Sequence, residues 1–282
     1  MAEALPPNEA GTTCDAWLAG RLKLTQPAKG HRAGSDAALL AAASPAARRI
    51  ADVGAGVGAV GLAIALRFPT ARIDLVEIDP ELADLARRNA AANGLGERVR
   101  VIVADATSAA SRRAGDLEDG KADLVAMNPP FFTPSRVRAS PTPARARAHV
   151  LPHPSREGRS DLSAWISAAV ALLAPGGRFV MIHRPESLGE ILVAFGARLG
   201  AIEILPVHPR AEAPANRLLI AAVKGARSPL SIRPPLVLHD AAGAFTFHAA
   251  ALHRGEASID WGQAPRRLPR RYGTDDPRRG GR

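Results

Sequence analysis

Cysteine is nearly absent from this chain of 282 residues, in which Cys14 is the single thiol. One thiol cannot form a disulfide framework, and a zinc site would have to be built without a cysteine cluster. Four histidines stand apart without the spacing of metal ligands: His149, His153, His183 and His208. The sequence therefore predicts a protein of a reducing compartment that binds no metal.

A long apolar run is missing as well. No stretch reaches the roughly eighteen residues that a membrane-spanning helix needs. The segment from Met1 to Gly11 has no basic patch followed by an apolar stretch of the kind that marks a secretion signal. With 46% apolar residues over 282 positions, the chain suits one large α/β domain with appendages. We expect a soluble, cytoplasmic protein that does not contact a membrane.

Lysine is scarce, since 33 of the 37 basic residues are Arg, an excess that is typical of a coding bias. The formal net charge of +10 favours a polyanion such as nucleic acid as the partner. However, the segment from Gln263 to Arg282 alone carries seven Arg and two Asp, so half of the net charge lies in a tail. This tail has too little apolar surface to offset its ordering entropy, and we expect it to be disordered.

Short apolar runs alternate with helical patterns from Arg49 onward. Strands are predicted at 50–53, 72–77, 99–104, 123–127, 178–182, 201–205 and 217–223. For the predicted helix from Pro80 to Asn93, Asp79 is placed as the N-terminal cap and Gly94 just past the end. This alternation predicts a doubly wound α/β fold whose sheet is mostly parallel, with helices on both faces.

The chain divides into three parts. Residues 1–48 are expected to form a strand or hairpin, a loop and a helix that pack on the core, 49–256 the core domain, and 257–282 the Arg-rich tail. Further helices are predicted at 160–174 and 185–199, and a last hairpin at 236–239 and 245–248. Residues 132–159 are rich in Pro and Arg without a period, which predicts a long functional loop or a partly disordered segment.

A glycine cluster follows the first core strand, with Gly54, Gly56 and Gly58 at alternate positions and Asp52 ahead of them. In a doubly wound sheet the first strand-to-helix turn lies against the cofactor, and glycine permits positive φ and close approach of the backbone. Residues 56–61 also match the dinucleotide fingerprint, which leaves a nicotinamide enzyme as an alternative. Asp52 before the first glycine and the tetrad Asn128-Pro129-Pro130-Phe131 at the fourth strand favour S-adenosylmethionine as the ligand.

Two carboxylates end the next two strands. Glu77 comes nineteen residues after Gly58, where it can accept hydrogen bonds from both hydroxyls of a ribose. Asp105 ends the third strand, where it can accept from the amino group of a cofactor adenine. Either residue taken singly is equally compatible with a helix cap or a solvated carboxylate, but together with the glycines they predict an adenosyl pocket.

The tetrad Asn128-Pro129-Pro130-Phe131 ends the predicted fourth strand. An adenine amine is a poor nucleophile because its lone pair is delocalised into the ring. If the Asn128 side-chain oxygen and the Pro129 carbonyl each accept one N–H, the nitrogen can pyramidalise towards a sulfonium methyl, and the fixed φ of proline helps to aim the carbonyl. Phe131 offers a face on which a flipped or single-stranded base can stack. The tetrad predicts methyl transfer to a flat amino group by positioning, without a general base.

Arginines crowd the segment after the tetrad, against the single acid Glu157. They are Arg136, Arg138, Arg145, Arg147, Arg156 and Arg159. Such a segment can grip phosphates around a target base, or it can be a solvated loop of an Arg-rich chain, and both interpretations stay open.

These motifs resemble a family of bacterial class I methyltransferases, the tRNA1(Val) adenine-37 exocyclic-amine methyltransferases, from about Asp15 to Glu256. Three further segments carry the resemblance more specifically than the tetrad: Gln26 to Ala37, His183 to Leu188 and Pro209 to Asn216. The resemblance implies a seven-stranded Rossmann-like fold with an antiparallel last strand. It also implies S-adenosylmethionine as the donor and an adenine in a tRNA anticodon loop as the acceptor.

The same resemblance would place Arg32 to Asp36 near the cofactor, so Asp36 joins the expected cofactor-binding residues. Two positions depart from the family, because His31 and Phe131 stand where relatives commonly have Tyr. Phe131 keeps the stacking face but lacks a hydroxyl, which leaves the fine choice of substrate open.

Three other functions stay open. A release-factor protein-glutamine methyltransferase presents the same flat amino group to the tetrad, although such enzymes usually have Tyr as the fourth residue and a helical domain in front. An rRNA guanine-amine methyltransferase has similar motifs, in some cases with a duplicated inactive domain ahead of the core. A non-enzyme alternative is an RNA-binding module with a vestigial cofactor site, against which the intact Gly54, Glu77 and Asn128 argue. No sequence feature indicates the oligomeric state.

Overall fold

The computed structural model of the chain describes residues 11–30, 32–130 and 161–262. His31, Phe131, the segment 132–159 and the tail from Gln263 lie outside these residues, as do the expectations that concern them. In the described ranges, no helix is long and apolar enough to cross a membrane.

The described residues form eleven strands and seven α-helices. The strands are β1 (Thr12–Trp17), β2 (Leu22–Pro27), β3 (Arg49–Val53), β4 (Arg72–Glu77), β5 (Val99–Val103), β6 (Ala122–Met127), β7 (Leu173–His183), β8 (Leu199–His208), β9 (Arg217–Lys224), β10 (Ser231–Ile232) and β11 (Leu236–Val237). The helices are α1 (Ser35–Ala43), α2 (Ala59–Arg67), α3 (Pro80–Ala92), α4 (Ala109–Ala114), α5 (Asp161–Leu172), α6 (Leu188–Phe195) and α7 (Phe247–His253), with a 3-10 turn at Pro185–Ser187 before α6.

Nine strands build one sheet in the order β10-β8-β9-β7-β6-β3-β4-β5, with β11 paired to the end of β8. Strands β3 to β7 run parallel, and β9 runs antiparallel between β7 and β8. The seven predicted core strands are present as β3 to β9. The mostly parallel, doubly wound sheet with an antiparallel last strand is therefore confirmed.

Both faces of the sheet are buried in apolar clusters. In β3, Ile50 belongs to the cluster that contains α1, α2, α3 and α7, whereas Val53 belongs to the cluster that contains α5 and α6. Burial on two faces explains why the core strands read as continuous apolar runs rather than as alternating patterns.

The N-terminal hairpin of β1 and β2 is fastened to α3 by two amide side chains that imitate backbone. Asn89 accepts from Thr25 N at 2.8 Å and donates to Thr25 O at 2.8 Å, and Asn93 makes the same pair of bonds with Lys23 at 2.9 and 2.7 Å. Asn89 also donates to Val57 O at 3.0 Å. A single buried amide thus joins the hairpin, α3 and the turn after β3.

Helix α3 begins and ends as its sequence predicts. The Asp79 side chain accepts from Glu81 N at 2.9 Å, Pro80 holds the first helical position, and Gly94 has a φ of 67° just past the end. The cap orients the turn that leaves β4 at the edge of the sheet where the site lies.

The predicted C-terminal hairpin is wrong. Leu236–Val237 pairs in parallel with β8, and only an isolated antiparallel bridge joins His239 to Phe245. The chain then turns into α7 at Phe247, because the Thr246 hydroxyl caps a helix by accepting from Ala249 N at 3.3 Å. A short apolar pattern without this capping contact does not distinguish a strand from the first turn of a helix.

Candidate active site

The predicted site residues converge on the carboxyl edge of the sheet. Val53 lies opposite Met127 in neighbouring strands, so Gly54 and Asn128 follow adjacent strand ends. Strand β4 adjoins β3 on its other side and ends at Glu77. This edge is where doubly wound sheets bind their ligands.

The glycine cluster forms a tight turn with left-handed backbone at Gly54 (φ 73°), Gly56 (57°) and Gly58 (88°). Gly54 N and Ala55 N both donate to Val76 O, at 2.9 and 3.0 Å, which closes the turn on the end of β4. A residue with a β-carbon is strained in this conformation, so the alternating glycines of the sequence have a direct backbone cause.

Glu77 fastens the glycine turn to β4. Its carboxylate accepts from Gly56 N at 2.8 Å and from Ile78 N and Asp79 N, both at 2.9 Å. Burial raises the pKa of Glu77, while these backbone donors act to lower it. Because a carboxylate offers about four acceptor positions, about one is left for a ribose hydroxyl. The contact of Glu77 with both hydroxyls remains a prediction.

Asp52 lies in β3 ahead of the turn and is only 2% exposed. Its carboxyl accepts from Gly61 N at 2.9 Å, which holds the first turn of α2 against the strand. Burial raises the pKa of Asp52 to about 7, and the nearby charge of Glu77 also acts to raise it. The hydrogen bond from Gly61 acts in the opposite direction and lowers this pKa. A direct contact of Asp52 with the cofactor stays a prediction. The contact present is one that positions α2.

Asp105 is half-buried beyond the end of β5. Its carboxylate accepts from Thr107 N at 2.9 Å and from the Thr107 hydroxyl at 2.7 Å, which closes a turn within its own loop. Its expected contact with an adenine amino group also stays a prediction.

Asp36 and Arg217 form an ion pair at the same edge, although they are 181 residues apart in the sequence. The Arg217 Nε lies 3.0 and 2.9 Å from the two carboxylate oxygens of Asp36. Together with Asn128 they line a cleft of about 210 Å³. Its wall also includes Arg32, Ala33, Gly34, Ser35 and Ala37. Asp36, expected at the cofactor, thus shares a cleft with the first residue of the tetrad.

The side-chain oxygen of Asn128 is buried and accepts no hydrogen bond from the residues that the structure describes. Leaving such an acceptor unsatisfied costs about 1–3 kcal/mol, and native proteins rarely tolerate it without a functional reason. An atom of this kind in a cleft is ready to accept an N–H from a ligand. This Asn128 Oδ1 is the atom that the sequence predicts to accept a hydrogen bond from the substrate amine.

Trp165 and Arg217 are site residues that the sequence reasoning missed. The Trp165 ring in α5 lies over Gly54, with Cη2 2.7 Å from the position that a β-carbon on Gly54 would occupy. A bulky aromatic residue in the helix after the tetrad loop is a weak signal for this contact. Arg217 directly follows the segment from Pro209 to Asn216, which already carried the family resemblance.

A larger cleft of about 460 Å³ lies at the opposite edge of the sheet, where β3, β4 and β5 begin. In its wall Arg100 lies 2.8 Å from Asp74 and 3.4 Å from Asp116. Size alone does not identify the site, because Asn128, whose side-chain oxygen no described residue contacts by a hydrogen bond, lies at the other edge.

The residues present fit an adenosyl cofactor in three respects. The backbone of Gly56 is open to close approach, because a β-carbon there would meet nothing within 4 Å, and Glu77 retains acceptor capacity beside it. At the next strand end, Asn128 presents an acceptor that no described residue uses. This site and the strand order define a class I methyltransferase. The family model described as "Methyltransferase small domain" matches residues 31–142 of the chain.

A tRNA1(Val) (adenine(37)-N6)-methyltransferase of Aeromonas hydrophila is 32% identical over 219 residues, covering 76% of this chain and 85% of the relative. A crystal structure from Agrobacterium tumefaciens, described as a predicted O-methyltransferase, is 35% identical with a TM-score of 0.65. It covers 79% of this chain and 98% of that one. The chain belongs to the family of tRNA1(Val) (adenine(37)-N6)-methyltransferases. It is an S-adenosylmethionine-dependent N-methyltransferase, which confirms the expected cofactor and enzyme class.

A release factor glutamine methyltransferase of Chlorobaculum tepidum is also similar, at 30% identity over 156 residues. This similarity covers 55% of the chain and 52% of that relative, much less than for the Aeromonas protein. The two relatives are named for different acceptors, a glutamine of a release factor and an adenine of a tRNA.

Proposed function

We propose that this enzyme methylates the exocyclic amine of an adenine in RNA, and that the RNA is a tRNA with its target in the anticodon loop. The observation that carries the proposal is the side-chain oxygen of Asn128, which is buried and has no hydrogen-bond partner in 11–30, 32–130 or 161–262, in a cleft at the end of the fourth core strand. Family membership supports the same acceptor, since the relatives that match most of the chain are named for adenine in tRNA1(Val).

Asn128 and Pro129 would prepare the nitrogen for attack. Acceptance of one N–H by the Asn128 oxygen and of the other by the Pro129 carbonyl draws the lone pair out of conjugation with the ring. Proline has no N–H of its own to compete, and its fixed φ restrains the direction of the carbonyl. When bound, S-adenosylmethionine would supply an electrophilic methyl group and leave as the neutral thioether S-adenosylhomocysteine, while the methylated nitrogen would release its surplus proton to solvent. The rate then comes from alignment of the amine and from the electrostatics of the pocket.

The surroundings of Asp36 agree with catalysis by positioning. Asp36 lines the cleft, but Arg217 engages both of its oxygens, at 3.0 and 2.9 Å. Both carboxylate oxygens are therefore already occupied. O-methylation, suggested by the description of the Agrobacterium protein, needs a group that takes up a hydroxyl proton, and Asp36 in this ion pair has no free oxygen aimed at a substrate.

The test combines nucleoside mass spectrometry with calorimetry. The chain and Asn128→Ala are incubated with S-adenosylmethionine and tRNA1(Val) transcribed in vitro. We expect methyladenosine with the parent chain and at least about 100-fold slower transfer with the variant, as for loss of one preorganised catalytic hydrogen bond. Cofactor affinity should be equal in both. Equal turnover would refute the assignment of Asn128.

The glutamine acceptor is tested in the same assay with a release-factor protein as substrate. The partial similarity to the Chlorobaculum enzyme is the observation that favours this second candidate. Methylation of glutamine with no methylation of adenine would replace the proposed function, whereas the reverse result would exclude the protein substrate.

A further inference from the structure

A cluster of aromatic side chains lies beyond β11, at the same edge of the sheet as Asn128. Strands β7 and β8 both run antiparallel to β9, so they point the same way, and Leu236 and Val237 pair in parallel with Val207 and His208. The chain that leaves β11 therefore emerges at the carboxyl edge of the sheet. Three of its aromatic residues, His239, Phe245 and Phe247, follow within ten residues of Val237, and His253 lies in the helix after them.

The cluster is built around Phe245. Its ring stacks between His239, with ring centroids 4.7 Å apart and 21° between planes, and His253, at 4.4 Å and 30°. Phe245 is 42% exposed, and Phe247, two residues later, is 89% exposed. A phenylalanine so far out of the core adds almost nothing to folding, since an exposed ring buries little apolar area.

The backbone under these rings is firmly held. Thr246, which lies between the two phenylalanines, donates from its N to Leu238 O at 2.8 Å and from its hydroxyl to Val237 O at 2.9 Å. The His239 Nδ1 lies 3.0 Å from Pro209 O, which fixes this ring against the loop that follows β8. Rigid aromatic faces lose little entropy when a ligand stacks on them.

Two packed helices link the cluster to the acceptor cleft. Helix α7 packs on α1, whose first turn, from Ser35 to Ala37, lines the cleft with Asn128. Two arginines line the cleft, Arg32 in an ion pair with Asp15 and Arg217 in an ion pair with Asp36. The exposed Arg210 follows Pro209, whose carbonyl contacts the His239 ring. The carboxylate of Asp240 in this region accepts from Ala244 N at 3.0 Å, which orients it within its own turn.

We propose that Phe247, with the stacked rings of Phe245 and its histidines beside it, is a platform on which a base of single-stranded RNA stacks next to the target adenine. The inference rests on the proposed function and extends it to the flanking nucleotides. An exocyclic amine is accessible only in an unpaired nucleotide, and unpaired bases are recognised by stacking on aromatic rings with cations near the phosphates. The exposed Arg210 would supply such a phosphate contact.

RNA binding by Phe247 variants tests the platform. Fluorescence anisotropy is measured with the full chain and a labelled RNA of the tRNA1(Val) anticodon stem-loop. Phe247→Ala should raise the Kd about 5- to 150-fold, the range expected for loss of one base stack. Phe247→Trp keeps a stacking face and should bind like the parent chain. An unchanged Kd in Phe247→Ala would overturn the inference.

Val193→Ala is the matched control. Val193 is 83% exposed and lies in α6, which packs on the opposite face of the sheet from α7. Its loss should leave RNA binding unchanged, and an equal loss of affinity in both alanine variants would overturn a specific role for Phe247. Calorimetry should give the same affinity for S-adenosylmethionine in all variants.

Two other occupants of the platform are outcomes that would overturn the inference. If residues 263–282 of the chain itself cover Phe247, then Phe247→Ala will lower the melting temperature of the full chain and not of a chain that ends at Gly262. If a second copy covers it, the parent chain will dimerise and Phe247→Ala will not. Failure of the proposed function looks different, because the parent chain would then bind RNA without methylating it.

Discussion

Trp165 lies directly over Gly54, with the indole Cη2 and Cζ3 2.7 and 2.8 Å from the point where a β-carbon on Gly54 would stand. Trp165 belongs to α5, and Gly54 belongs to the turn after β3. In the sequence the tetrad lies between them. The contact makes the indole one boundary of the glycine turn that is expected to hold the cofactor.

Gly54→Ala should therefore destabilise the chain more than Gly56→Ala. Both positions have positive φ, but a β-carbon at Gly56 meets nothing within 4 Å, whereas one at Gly54 meets the indole. We expect Gly54→Ala to lower the free energy of unfolding by about 2–4 kcal/mol, and Gly56→Ala by about 1 kcal/mol from backbone strain alone. Denaturant unfolding measures the difference. Trp165→Ala should recover part of the loss in the Gly54 variant, and equal effects at both glycines would contradict the contact.

Trp165 should also report cofactor binding by its fluorescence. The chain has three Trp: Trp165, Trp17 in β1, and Trp261, which is buried with its indole N–H donating to Ala43 O at 2.6 Å at the end of α1. Addition of S-adenosylmethionine should change the emission of the parent chain and of Trp261→Phe. Trp165→Phe should lose this change. A signal that survives in Trp165→Phe would show that the indole does not border the cofactor.

Stability should fall as pH rises through the range in which Asp52 titrates. The folded-state pKa of Asp52, about 7, lies above its ordinary value of 3.8, so its protonated form stabilises the fold. This contribution is complete below pH 3.8 and is lost by about pH 7, with an upper limit of about 4 kcal/mol. Glu77, whose pKa burial also raises, acts in the same direction. Asp52→Asn keeps an acceptor for Gly61 N and should flatten the decrease. Urea unfolding across this pH range measures it, and an unchanged slope would argue against the titration of Asp52.

Asn89→Ala should weaken both the fold and cofactor binding. The buried amide makes three hydrogen bonds, to Thr25 N and O and to Val57 O in the glycine turn. Their loss leaves buried backbone groups unsatisfied, for which we expect about 2–4 kcal/mol of lost stability. Asn93→Ala is the control, because Asn93 bonds Lys23 but does not touch the turn. It should cost less stability and leave the affinity for S-adenosylmethionine unchanged, as calorimetry can determine.

The fold could be predicted from the sequence because its information is local. Apolar runs identify buried parallel strands, and Asp79, Pro80 and Gly94 mark the ends of α3 by their own side-chain and backbone chemistry. The same reasoning failed at residues 245–248, where one capping hydroxyl, that of Thr246, decides between strand and helix. Strand ends also predicted which residues meet at one edge, since parallel strands bring their carboxyl ends together.

The contacts within the site could not be predicted in this way. Asp36 meets Arg217 and Trp165 meets Gly54 across long stretches of chain, and periodicity records which residues are buried but not which side chains touch. Asp52 was expected at the cofactor from its place before the glycines, yet its observed partner is Gly61 N. The Asn128 side-chain oxygen has no hydrogen-bond partner among the described residues, and this too depends on how the strands and loops pack at the carboxyl edge of the sheet.

The bond from Gly56 to the Glu77 carboxylate bears on the thermodynamics of nucleoside capture. Because the Glu77 carboxylate already fixes the glycine turn, the turn loses little backbone conformational entropy when a ligand binds. Its occupation should accordingly be driven by the enthalpy of new contacts, with a heat-capacity change no larger than the apolar area covered by the incoming adenosine requires.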